Sequence, residues 1–270
     1  MQRSPEADGA PFCFSGPFSY NDGRIPGQPM TDPNATVLFL SIVIPAYNEE
    51  KRLGPSLERI RGYLAAKPYA AEIIVVDDGS TDRTAEVAGA ELEGRLPYRV
   101  LRRERNQGKG FSVREGVQAA AGQVILFTDA DLSTPIEELD EFIQRLDEGF
   151  DIVIGSRALP GCDIRVPQAA PREALGKFFN RLVRLFVLKG CLDTQCGFKV
   201  FRRAAAVDIF SRLQSKGFAF DVELLVLAAK RGYRVGEVPV IWCNSPPSRV
   251  RIFRSSWQML RELWRIRRLR

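Results

Sequence analysis

The sequence contains no histidine. No side chain is therefore present that titrates near neutral pH without perturbation, and mixed Cys/His zinc sites are excluded. Cysteine is scarce: five residues, at positions 13, 162, 191, 196 and 243. The number is odd, and Cys191 and Cys196 are too far apart for a CxxC pair. Reduced thiols in a reducing compartment are the expected state. No apolar run approaches the roughly 20 residues that cross a bilayer. The N-terminus lacks the charged-then-apolar pattern of a secretory signal. These absences predict residence in the cytosol.

What is present suits one large domain or slightly more. The chain has 270 residues, 45% hydrophobic and 27% charged, with a net charge of +6. The charge is uneven. Between Ile241 and Arg270 there are eight arginines and one acid, Glu262. Such a tail calls for an anionic partner.

Residues 1–36 are rich in Pro, Gly, Asp, Asn and Ser without periodicity and read as a disordered lead-in. From there apolar runs alternate with helical patterns. "TVLFLSIVIP" (36–45), "EIIVV" (72–76), "YRVLRR", "QVILFTD" and "FDIVIGSR" read as strands. Between them lie helical stretches at 49–66, 80–92, 110–122 and "PIEELDEFIQRLDEG". Continuously apolar strands belong to a parallel sheet covered on both faces. The pattern predicts a doubly wound, mainly parallel α/β domain over residues 37–245. Within it, 172–190 predicts an amphipathic interface helix. Residues 246–270 predict a basic amphipathic helix with Phe253, Trp257, Leu260 and Trp264 on one face. Both helices are suited to the headgroup region of an anionic membrane.

In open α/β sheets, ligands gather at the carboxyl ends of the strands. Here those ends read "PAYNEE" (45–50), "VDDGSTD" (76–82), "TDADLS" (128–133) and "GSR" (155–157). Asp82 reads simply as a helix cap. Asp129 and Asp131 are harder to explain, because neighbouring carboxylates repel. In an extended segment alternate side chains share a face, so both can meet one cation. Mg²⁺ and Mn²⁺ favour such oxygen ligands together with phosphate oxygens. "NQGKGFSV" (106–113) is not a Walker motif, yet Gly108 and Gly110 permit close backbone approach at a helix start, which suits anions. Lys109 either reaches the nucleotide or is solvated.

Taken in order, "SIVIPAYNEEKRL", "EIIVVDDGSTDRT", "NQGKGFSVREG", "FTDADLSTP", "VIGSRAL", "DTQCGFKVFRR", "FAFDVELL" and "EVPVIW" resemble the family 2 glycosyltransferases with a GT-A fold. The resemblance covers roughly residues 40–265 and is strongest to the dolichyl- and polyprenyl-phosphate β-glucosyltransferases. It implies that Pro45, Tyr47, Glu49 and Asp77 hold the nucleoside, with Asp78 supporting their loop. It implies that Asp129 and Asp131, flanking Ala130, bind Mg²⁺ or Mn²⁺ and the sugar diphosphate, with Ser133 as a further ligand. Arg157, Lys199 and Arg249 are implied at the acceptor phosphate, with Arg249 also closing over the diphosphate. Asp193, Thr194 and Gln195 are implied near the sugar and acceptor, and Asp221 and Glu223 in the sugar pocket. The catalytic set so implied is Asp129, Asp131, Arg157 and Asp193. The chain departs from relatives in its "PPSRV" loop and in lacking their terminal membrane spans.

A phosphate acceptor also accounts for the missing histidine. Sugar hydroxyls need a general base; a phosphomonoester, with a second pKa near about 6, is already largely dianionic. The expected reaction is transfer of glucose from UDP-glucose to a dolichyl or undecaprenyl phosphate, at the cytosolic face of a membrane. The alternatives are a GDP-mannose donor or a non-catalytic binding module. No nucleic-acid motif is present.

Overall fold

Apolar β-branched residues dominate the central strands that build the core, and those strands are buried along nearly their whole length. The computed structural model describes residues 38–166, 183, 190–243 and 262–268. The predicted lead-in, the interface helix at 172–190 apart from Val183 and Gly190, Arg249, and the rest of the tail lie outside the described residues.

Seven strands form the central sheet: β1 (Leu40–Ala46), β2 (Ala71–Asp77), β3 (Tyr98–Arg102), β4 (Val124–Thr128), β5 (Ile152–Ser156), β7 (Phe198–Arg202) and β8 (Val235–Pro239). Their spatial order is β3-β2-β1-β4-β7-β5-β8. β1, β2, β3 and β4 are parallel. β7 lies antiparallel between β4 and β5, and β8 runs parallel to β5. The predicted doubly wound, mainly parallel sheet is present. A separate ribbon pairs β6 (Asp163–Val166) with β9 (Ile241–Cys243).

Alternation along each strand divides the core in two. Ile42, Ile44, Ile73 and Val75 belong to one cluster. It includes Leu53, Leu57 and Ile60 of α1 (Leu53–Ala65), Ala88 and Leu92 of α2 (Thr84–Leu92), and Leu139, Phe142 and Leu146 of α4 (Leu139–Asp147). Val43, Ile74, Val76 and Phe127 belong to the other. There they meet Val113 and Val117 of α3 (Lys109–Ala119), with α5 (Arg203–Arg212) and α6 (Phe220–Arg231). Strand residues of opposite parity point to opposite faces. Each such buried side chain contributes about 2 kcal/mol. Phe127 meets Phe220 edge-on at 5.7 Å, which seats α6 directly beneath the end of β4.

Among the described residues no helix is long and apolar enough to cross a membrane, and the four described cysteines are free. The tail is more tied to the domain than its sequence predicts. Residues 262–267 are helical. Leu263 and Ile266 are buried in the core with α5 and α6, while Trp264 is 62% exposed beneath Arg268. One face of this segment is therefore a domain contact.

Candidate active site

The chain reverses sharply after β1 and after β4, and the loops it makes there face one another. Helix α1 starts at Leu53, four residues later than the apolar pattern begins. The amides that precede it are taken up elsewhere. Asn48 N–H donates to Ser80 Oγ (2.9 Å), Glu49 N–H to Thr84 Oγ1 (2.8 Å) and Glu50 N–H to Asp82 Oδ2 (3.3 Å). Asp82 also accepts from Thr84 N–H at 3.0 Å, a local turn contact just before α2, whose N-cap is Arg83. These bonds lock the loop after β1 to the loop after β2.

Asp77 closes β2 and is fully buried. Its Oδ1 accepts from Ser80 N–H at 2.9 Å, while Oδ2 has no hydrogen-bond partner and lies 3.7 Å from Arg102 Nε. Asp78 has a supporting role. It accepts from the amides of Gln107 and Gly108, each at 2.8 Å, and from Arg103 at 2.9 Å. The Gly108 backbone has φ +104°, and a Cβ there would lie 2.5 Å from Lys216 O. Only glycine fits. Asp78 and Gly108 together fix the start of α3 and deliver Lys109 to the cleft.

Asp129 and Asp131 follow β4, as the sequence predicts, with the buried Ala130 between them. Lys109 Nζ sits 2.7 Å from Asp129 Oδ1 and 5.2 Å from the Phe127 ring centre. Arg52 forks onto Glu49, at 2.6 Å from Nε and 2.5 Å from Nη2. Its Nη1 reaches Asp131 Oδ2 at 3.3 Å. Ser133 donates to Asp131 Oδ1 from its amide (3.2 Å) and hydroxyl (2.9 Å). Leu132, at φ +46°, turns the loop so that this contact closes. Burial, and then the charge of Asp129, raises the Asp131 carboxyl above its ordinary value, although Ser133 and Arg52 pull it down. Burial lowers the affinity of Lys109 for its proton, but Asp129 and Asp221 outweigh that and hold it charged.

The opposite wall comes from β5 and the stretch before β7. Arg157 donates to Asp193 from Nε (2.6 Å), Nη2 (3.0 Å) and its own amide (3.1 Å). Its guanidinium lies 5.5 Å from the Trp242 ring centre. Nη1 has no partner among the described residues. Asp193 is buried, and Glu237 holds its amide and that of Leu192. Burial would raise the Asp193 carboxyl, but Arg157 holds it below its ordinary value. Gln195 N–H also bonds Asp193, at 3.2 Å. Cys243 N–H donates to Ser133 O at 2.7 Å, which ties the β6–β9 ribbon to the carboxylate loop.

Three residues expected at the substrates are instead bonded within the domain. Lys199, expected at the acceptor phosphate, is fully buried. Its ammonium bonds Cys196 O (2.5 Å) and Asp221 Oδ1 (2.6 Å), because the β7 side chain points inward beneath α6. Asp221 is thus the buried counter-charge of Lys199, and burial raises its carboxyl above the ordinary value. Glu223, expected in the sugar pocket, is also fully buried. It accepts from the amides of Gln214 (3.1 Å) and Ser215 (2.7 Å) and from Arg265 (3.0 Å). Pro45 is the penultimate residue of β1, Thr194 is buried, and Tyr47 is 43% exposed.

Two residues escaped the sequence reading. Arg52 lies three positions after Glu49, a spacing that allows the pair. Gly197 accepts from Asp129 N–H at 3.2 Å. A Cβ on it would lie 1.9 Å from Asp129 Oδ2, so the missing side chain is what leaves room for that carboxylate.

The donor set of Asp129, Asp131 and Ser133 is all oxygen, the chemistry Mg²⁺ and Mn²⁺ prefer. Among the described residues no group of three or more His, Cys, Asp or Glu is arranged to hold a metal. A cavity of about 620 Å³ lined by Glu58, Arg61, Tyr69, Ala71, Arg95 and Pro97 lies at the opposite ends of the strands, away from these groups.

The comparisons identify the family and the fold. Residues 41–210 match the model of the family described as glycosyl transferase family 2. The chain is 39% identical over 244 residues to a dolichyl-phosphate beta-glucosyltransferase of Drosophila melanogaster, covering 85% of this chain and 74% of that one. It is 36% identical over 244 residues to the enzyme of that name from Dictyostelium discoideum, with the same coverage. In fold it is similar to glucosyl-3-phosphoglycerate synthase from Mycobacterium tuberculosis, crystallised with Mn²⁺, UDP-glucose and phosphoglyceric acid. That likeness has a TM-score of 0.63 at 20% identity and covers 88% of this chain and 85% of the other. The strand-end acids, the sheet that presents them and these matches lead to one conclusion: the chain belongs to glycosyl transferase family 2 and is a glycosyltransferase of GT-A fold.

Proposed function

We propose that this glycosyltransferase moves glucose from UDP-glucose to a polyprenyl phosphate, dolichyl or undecaprenyl, with inversion at the sugar carbon. The observation that carries the reading is the pairing of Asp129 and Asp131 on one side of the cleft with Arg157 on the other. The names of the relatives support the sugar and the lipid acceptor. A bound Mg²⁺ or Mn²⁺, held by Asp129, Asp131 and Ser133, supplies charge neutralisation for the departing diphosphate.

The chain's own residues do the rest. Lys109, kept charged at the start of α3, lies where a donor phosphate meets the carboxylates. Asp193 holds Arg157 by a two-pronged bond, so the guanidinium is oriented before substrate arrives. Its remaining Nη1 is available to an acceptor phosphate, and arginine suits that planar contact. Because the acceptor is ionised on arrival, no residue has to remove a proton from it. Asp77, with an unpartnered buried oxygen, fits a donor from the nucleoside base once the loop beside Arg102 yields. The exposed Trp264 beside Arg268 fits contact with an anionic headgroup layer, which supports a peripheral position at the cytosolic face of a membrane.

The test uses radiolabelled UDP-glucose, UDP-GlcNAc and GDP-mannose, each with a short polyprenyl phosphate and Mg²⁺ or Mn²⁺. Label is expected in the lipid with UDP-glucose, and none with D131N or excess chelator. Transfer only from GDP-mannose would overturn the sugar assignment. Full activity of D131N would overturn the site.

A further inference from the structure

The two carboxylates at the end of β4 are not bare. Each is met by a cation of the protein; Arg52 also grips Glu49, and Lys109 feels the charge of Asp221. Arg52 bonds Asp131 at 3.3 Å by one nitrogen while its other two grip Glu49 at 2.6 and 2.5 Å. Lys109 bonds Asp129 at 2.7 Å and also faces the charge of Asp221. Asp221 is in turn held by Lys199 at 2.6 Å. Charges therefore alternate from Asp129 through Lys109 and Asp221 to Lys199.

We propose that Arg52 and Lys109 are displaceable internal counter-ions: they hold the two carboxylates in place in the metal-free enzyme and withdraw onto Glu49 and Asp221 when a divalent cation arrives. The inference rests on the metal reading of Asp129 and Asp131 given above. The physical argument is one of repulsion. Two carboxylates one residue apart on a partly buried loop drive each other apart or toward protonation unless a positive charge lies between them. A fixed buried cation would satisfy them but would then exclude the metal. A flexible cation with a second carboxylate within reach avoids both problems. Arg52 stays paired with Glu49 when it withdraws, while Lys109 shares Asp221 with Lys199. Lysine and arginine, on long flexible stems, can make that short move. Both pairs are only partly screened: side-chain exposure is 21% and 35% for Lys109 and Asp129, and 20% and 19% for Arg52 and Asp131. The competition sets how tightly the metal is held before the nucleotide binds, and Arg52 and Lys109 act as positioning residues for it.

The experiment is a Mn²⁺ titration of the full chain without nucleotide, read from loss of the free-ion EPR signal, with melting temperature recorded for every variant. K109M and R52M each remove a competitor, and Mn²⁺ binding is expected to tighten about fivefold, the scale of one partly exposed ion pair. K109R keeps the charge and is expected to bind Mn²⁺ as the wild type does, which a purely structural role for Lys109 would not require. D221N/K199M removes the alternative partner of Lys109 while leaving no buried charge unpaired. Binding there is expected to weaken about threefold, and tighter binding would overturn the role of Asp221. If D131N loses Mn²⁺ binding while K109M and R52M bind no more tightly than wild type, the counter-ion inference fails alone. If D131N binds Mn²⁺ as well as wild type, or no form binds it, the metal reading fails and this inference with it.

Discussion

The acids of this protein fall into two groups that sit side by side. Asp78, Asp193 and Glu223 are buried, and each accepts hydrogen bonds from backbone amides as well as from an arginine. Asp129 and Asp131 are partly exposed, and side-chain cations hold them. Backbone amides cannot leave without unfolding a loop, whereas a lysine or arginine can swing away. Acids of the first kind build the cleft, and acids of the second kind are free to exchange partners within it. Burial and donor type separate the groups together, although Asp131 also accepts from the Ser133 amide.

The sharpest way to test that division is to neutralise one acid from each group. D131N should cost at least about a thousandfold in glucosyl transfer, the scale of a lost metal ligand at a developing charge, with its melting temperature little changed. E223A should do the reverse. It leaves the amides of Gln214 and Ser215 and the Arg265 guanidinium without their acceptor, at a cost of about 3 kcal/mol in urea unfolding. If E223A melts like wild type, the structural group is wrongly drawn.

G197A probes the boundary between them. The added methyl group meets Asp129 Oδ2 at 1.9 Å, so the carboxylate must move. Turnover should drop about a hundredfold, as for a misplacement of roughly 1 Å, while urea stability changes little. Wild-type activity would show that Asp129 tolerates another position.

The smallest effect concerns acid stability. Asp193 has a carboxyl held below its ordinary value of 3.8 despite burial, because Arg157 is bound to it. Its contribution is complete above about pH 4 and is lost as pH falls through the lowered folded value. D193N should therefore flatten the fall of unfolding free energy as pH drops below about 4, with Arg157 still present. An unchanged slope would place the acid sensitivity elsewhere.

Much of the frame was legible. The runs around Ile42, Ile74 and Leu126 had no polar face, so they had to be strands covered twice. Asp129, Asp131 and Arg157 stood out because they follow apolar runs at strand ends. Helix starts were less legible. The stretches from residues 49 and 80 look helical, yet α1 and α2 begin at Leu53 and Thr84, since the intervening amides bond across loops distant in sequence. "YRVGEVPVIW" reads as one strand but is two. β8 ends at Pro239 in the main sheet, and β9 leaves to join β6. The β6 strand carries no apolar pattern of burial and was not foreseen.

The sequence by itself determined the layered α/β class, the acidic strand ends and the concentration of arginine at the tail, because periodicity and composition act locally. Only the tertiary structure decided that β7 would wedge antiparallel between β4 and β5. The same packing buried Lys199 against Asp221 and Glu223 against Arg265. It also brought Arg52 to Asp131 across 79 positions of chain. Those outcomes depend on which faces meet when the sheet closes, and a charged residue's partner is set by that long-range packing rather than by its neighbours in sequence.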